Sequence, residues 1–98
     1  MNVNDFLKIR IIKEYKENEE KEIFTLGINP NCITNFNIND EMIIINTNTK
    51  NSVTLSPEYR IFKENIEKKE VSNCMEMLGR SYCYVEESEF IRLQELLK

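Results

Sequence analysis

The chain has 98 residues, 41% of them hydrophobic, with four Tyr and five Phe. That is one domain's length and enough apolar material for an independent core, which excludes a disordered segment. Its net charge of −4 and pI near 4.9 disfavour a nucleic-acid binder, which carries a basic footprint, yet are too weak to imitate a polyanion.

What is missing narrows the chemistry further. The sequence contains no His, no Ala and no Trp. Without imidazole there is no Ser-His-Asp or Cys-His nucleophile, and no histidine metal ligand or proton shuttle. Two glycines, Gly27 and Gly79, cannot build a phosphate-binding loop. The abundance of Asn, Ile, Lys and Glu suits an A/T-rich coding sequence, as in a low-GC bacterium or its phages. No apolar run approaches the roughly 18 residues of a membrane span. The N-terminal "MNVNDFLK" lacks the basic and apolar regions of a signal peptide. These features set the expectation of a cytoplasmic, non-enzymatic domain without cofactor or metal.

In chain order, "FLKIRIIKEY" places Leu7, Ile9, Ile11 and Tyr15 on one face, with Lys8, Arg10 and Glu14 opposite. β-Branched isoleucines and a period of two predict a strand. "EIFTLGI" predicts its partner, joined through the charged loop "KENEEK". "NPN" then turns the chain. "CITNFNI", "NDE" and "MIIINTN" read as strand, turn and strand, and "TKNS" turns again into "VTL". The four apolar residues Met42 to Ile45 predict a strand covered on both sides at its start.

"SPEYRIF" reads differently. Ser56 can cap, Pro57 suits the first helical position, and Tyr59, Phe62 and Ile66 recur at helical spacing. A second helix is expected over residues 57–69. For "VSNCMEMLGRSYCYVEE" the choice lies between a short helix and a hairpin turning at Gly79-Arg80. Strand-forming "SYCYV" favours the hairpin, which sets Leu78 opposite Ser81 and Cys74 opposite Val85. A C-terminal amphipathic helix follows, with Ser88 as cap and Phe90, Leu93, Leu96 and Leu97 as its apolar stripe. The expected fold is α+β: a mainly antiparallel meander sheet of five to seven strands, one C-terminal helix and a second helix, in a single domain over residues 1–98.

The candidate sites are surfaces. Asn35, Asn37, Asn46 and Asn48 alternate along two strands and form one polar face, either a recognition ladder or ordinary solvated amides. The hairpin register gathers Met75, Met77, Tyr82 and Tyr84 into a second cluster, suited to protein contact. The C-terminal helix is expected to cover that cluster. Packed on the other face, it would leave the cluster as the leading interface. Cys32, Cys74 and Cys83 form no CxxC pair and read as packed, reduced thiols. The acidic pairs Glu19-Glu20 and Glu86-Glu87 read as a solvated loop and a helix start. Elimination therefore points to a protein-binding domain, a monomer or homodimer, such as an inhibitor or regulator encoded by a phage or mobile element. Two alternatives remain: a homo-oligomer using Ile91, which lies off the helix stripe, and a nucleic-acid binder using Lys8, Arg10 and Lys16 on the first strand, beside Phe6 and Ile12.

Overall fold

A computed structural model describes residues 6–18, 20–48, 58–65, 67, 75–77 and 80–97, with residues 75–77 as backbone only. Strand β1 (Leu7–Tyr15) pairs antiparallel with β2 (Lys21–Ile28), which sets Leu7, Ile9 and Ile11 opposite Ile28, Leu26 and Phe24. The register shifts between Ile12 and Glu14. Ile11 and Ile12 pair in regular succession with Phe24 and Ile23 before that shift, so they point to opposite faces, yet both are fully buried. The alternation expected of β1 holds as far as Ile12, which lies on the face opposite Ile9 and Ile11 but is buried there, outside the main core cluster, and not exposed as expected.

After β2, Asn29 Oδ1 accepts the Asn31 N–H at 3.0 Å and starts a single 3₁₀ turn, Pro30–Cys32. Strands β3 (Ile33–Ile38) and β4 (Met42–Thr47) then form a hairpin. Its turn is held by Asn39, whose Oδ1 accepts from the Glu41 and Met42 N–H groups at 2.9 and 2.8 Å.

The segment expected as a second helix is a strand, β5 (Glu58–Lys63). Its backbone pairs on both sides, antiparallel to β4 and parallel to β7 (Arg80–Val85). Cap and dipole signals near residue 57 were local preferences. Pairing along two edges satisfies the same backbone groups while burying Ile61 completely. Among the described residues the C-terminal helix has no helical companion. The "VTL" strand lies outside the described residues, as do residues 57, 66, 68 and 69 of the expected second helix.

The single meander is also corrected. β1 and β2 form a sheet of their own, and the second sheet has the order β3-β4-β5-β7-β6, where β6 is Met75–Met77. In the late hairpin Met77 pairs with Arg80 and Met75 with Tyr82. Arg80 therefore belongs to the ladder and not to the turn, and the register slips by two residues from the expected one. A slip of two preserves the face of every residue in β7. Cys74, Leu78 and Gly79 lie outside the described residues.

Helix α1 (Glu87–Leu97) and the β1–β2 hairpin pack on one face of the five-stranded sheet. Phe90 and Leu93 join Leu7, Ile9, Ile11, Ile43, Ile45, Ile61, Cys83 and Val85 in one apolar core. Leu97 packs against it, but Leu96, expected in the same stripe, is exposed. None of the described helices is long and apolar enough to cross a membrane.

Candidate functional site: the outer face of the five-stranded sheet

Period-two alternation gives each strand of the large sheet two faces, and the core takes one. Ile43, Ile45 and Thr47 of β4, Ile61 of β5, and Ser81, Cys83 and Val85 of β7 are buried inward. The other face is set by the register. Asn35 lies beside Asn46, Asn46 beside Glu58, and Glu58 beside Arg80, forming one row across four strands. The next row runs Asn37, Ile44, Arg60, Tyr82. The third runs Met42, Phe62, Tyr84. A polar row therefore grades into an apolar and aromatic one.

The central side chains of this face are half-buried, and Asn35, Asn37 and Arg80 are exposed. The rings touch. Phe62 and Tyr82 are nearly parallel with centroids 6.4 Å apart, and Phe62 and Tyr84 lie at 5.6 Å with a 31° tilt. The Arg60 guanidinium lies 6.0 Å from the Tyr82 ring centroid. Contacts among rings at these distances fix them against one another, so the face is a preformed surface.

Two polar clasps hold the opposite, inner layer in place. Glu89 Oε2 accepts the Arg10 N–H at 2.7 Å, while Arg92 Nη2 donates to the Lys8 carbonyl at 2.6 Å. Arg92 also grips both oxygens of Glu89, at 2.6 and 2.9 Å. Helix side chains thus occupy outward backbone groups of β1, the groups an added strand would use. Burial pushes the Glu89 carboxyl up, but the bonds from Arg92 and Arg10 outweigh it and hold the group below the ordinary range. At the other end of β1, Glu64 accepts from Tyr15 Oη at 2.7 Å and from Lys21 Nζ at 2.8 Å, and Lys21 also reaches Glu86 at 3.0 Å. The bond to Glu64 raises the Lys21 pKa against burial, and Glu86 adds to it. Burial raises that of Tyr15, and Glu64 adds to it.

Most of the sequence-predicted residues come together. Tyr82, Tyr84, Asn35, Asn37 and Asn46, proposed as two separate patches, share the outer face of one sheet. Met75 and Met77 are the register partners of Tyr82 and Arg80 at its border. Asn48 lies just past β4 and is exposed, its N–H donating to the Cys32 carbonyl at 2.6 Å. The expectation that the C-terminal helix covers the tyrosines is overturned, because α1 packs over Cys83 and Val85 instead. Ile91 stands apart on α1, 46% exposed.

Sequence reasoning missed Met42, Ile44, Glu58, Arg60, Phe62 and Arg80. The signal for β5 was present in "EYRIFK", where Glu58, Arg60 and Phe62 alternate with Tyr59 and Ile61. In the nucleic-acid alternative on β1, Ile12 is fully buried, and helix side chains hold the Lys8 and Arg10 backbone. Of the carboxylates in the acidic pairs, Glu86 is engaged by Lys21, and Glu19 lies outside the described residues. Cys32 is a half-buried thiol, and Cys83 is fully buried in the core. Among the described residues no group of three or more Cys, Asp or Glu comes together to hold a metal.

One concavity of about 250 Å³ lies where the two sheets meet, lined by Phe6, Gly27, Ile28, Asn29, Cys32, Thr47 and Tyr59. It is slightly smaller than the usual small-molecule pocket, and among the described residues no Lys, Arg, Asp or Glu lines it. Comparison of the chain with protein-family models, curated proteins and solved structures finds no match.

Proposed function

We propose that this chain is a small, acidic, non-catalytic protein-binding domain that docks its partner through the outer face of the five-stranded sheet. One observation carries this reading: the parallel pairing of β5 with β7 sets Arg60 beside Tyr82 and Phe62 beside Tyr84, with amide side chains alongside. Tyr and Arg are enriched among the few side chains that dominate binding energy, and a polar rim around an aromatic centre is the usual anatomy of an interface. Rings already in contact lose little freedom on docking. The role that fits is an inhibitor or regulator of a host protein, of the kind a phage or mobile element encodes. It would act as a monomer or homodimer in the cytoplasm.

The test is affinity capture from a low-GC bacterial lysate with the wild-type chain and with Tyr82→Ala, both first shown to be folded by circular dichroism. A stoichiometric companion held by the wild type and lost by the variant supports the reading. A companion retained equally by the variant, or recovery of the chain alone from several lysates, overturns it.

A further inference from the structure

The outer face is organised by charge as well as by polarity. Glu58 and Arg60 project from β5 on one face, and Arg80 is the register neighbour of Glu58 on β7. Glu58 Oε2 lies 3.1 Å from Arg80 Nε and 3.5 Å from Arg60 Nε. Among the described residues, two guanidiniums therefore share one carboxylate oxygen, and they share it unequally. Arg80 is within hydrogen-bonding distance. Arg60 Nε is at ion-pair range only, and this buried atom makes no hydrogen bond. That Nε is closed to solvent, but the Arg60 side chain as a whole stays 25% exposed, and a guanidinium carries five donors in a planar fork. The Arg80 side chain, by contrast, is 52% exposed and open to a second acceptor.

We infer, resting on the docking role proposed above, that the partner is a protein presenting an aspartate or glutamate side chain to the Arg60–Arg80 pair and an apolar side chain to Phe62 and Tyr84. A carboxylate fits this pair better than a phosphate backbone does. Polyanion binding draws on many neutralised phosphates, whereas among the described residues this face offers two cations with Glu58 between them, in a chain of net charge −4. A single planar carboxylate matches a guanidinium fork in shape and charge. Asn37 and Ile44, in the row of Arg60, then supply the adjoining amide and apolar contacts.

The test selects a phage-displayed random dodecapeptide library on the wild-type chain and measures the enriched peptides by fluorescence anisotropy. The comparison set is Arg80→Gln, Arg60→Gln and Tyr84→Ala, each checked for folding by its thermal melt. The expected peptides pair an acidic with an apolar residue, and changing the acid to its amide weakens binding at least about tenfold. Arg80→Gln or Arg60→Gln should abolish that acid-over-amide difference. If acid and amide peptides bind alike, or the difference survives in both arginine variants, the carboxylate inference is overturned; binding that still falls in Tyr84→Ala would leave the docking face standing. Peptide binding untouched by Tyr84→Ala and by both arginine variants overturns the docking face itself. Enrichment of no peptide, whether or not labelled oligothymidine binds, also overturns the proposal.

Discussion

The backbone N–H of Arg10 on β1 donates to Glu89 Oε2 on α1 at 2.7 Å, joining residues from opposite ends of the chain. The Glu89 side chain is only 6% exposed and is gripped by Arg92. Glu89→Gln keeps the shape but removes the charge from these bonds, and hydrogen bonds to charged groups contribute about 1.5–3 kcal/mol each. A loss of about 2 kcal/mol in urea denaturation at neutral pH is expected. Because the Glu89 pKa is lowered by folding, the unfolded chain binds its proton first as pH falls. The advantage of the wild type over Glu89→Gln is therefore full above the ordinary carboxylate range and shrinks as pH drops through the lower, folded value. A difference that stays constant down to strongly acid pH contradicts this assignment.

Glu64 produces the opposite pH signature. Folding raises the pKa values of both Lys21 and Tyr15, so the native state holds these protons more tightly than the unfolded chain. Their contribution is complete below the ordinary Lys and Tyr values, near about 10, and is lost as pH rises beyond them. Glu64→Gln should lower the melting temperature at neutral pH and flatten its decline at alkaline pH. Thermal melts from neutral to strongly alkaline pH, run on both proteins, give the comparison.

Ile91 separates docking by the sheet from self-association by the helix. It is 46% exposed on α1, outside the core stripe of Phe90 and Leu93. Ile91→Glu should change stability by no more than about 0.5 kcal/mol, as exposed substitutions do. It should also leave the solution mass unchanged in light scattering. A mass that starts above 11.7 kDa and falls to it in the variant would move the reading to a homo-oligomer built on α1.

Gly27 offers room for a gain. A Cβ there would lie 3.8 Å from the Phe6 Cβ and 3.9 Å from its ring, which is ordinary contact. Glycine inside a strand costs about 0.5–1 kcal/mol relative to alanine through its unfolded-state freedom. Gly27→Ala should therefore raise the melting temperature modestly, and the comparison of thermal melts is direct.

The site was only partly legible in the sequence. The Asn alternation and the Tyr82–Tyr84 spacing each placed residues on one face of a strand, because a strand's side-chain period is intrinsic to its backbone. Nothing local joined the two patches, since they meet only across β5. That strand was hidden by Ser56, Pro57 and Glu58, which carry helix-start chemistry whatever the following residues do. The side taken by the helix was equally hidden. β7 offers apolar residues on both faces, Cys83 and Val85 on one and Tyr82 and Tyr84 on the other, so the alternation does not distinguish them.

By itself the sequence determined the local elements with a strong period: the β1–β2 and β3–β4 hairpins, the turns at Asn29 and Asn39, the strand at β7 and the amphipathic C-terminal helix. These follow from steric preference, turn chemistry and side-chain periodicity, all of which act between near neighbours. Tertiary structure decided the split into two sheets, the strand at Glu58–Lys63, and the packing of α1 on the Cys83 face. Each of these depends on a choice between alternatives of similar local energy. Pairing β5 between β4 and β7 buries Ile61 and satisfies its backbone on both sides, a gain available only once distant strands are in place.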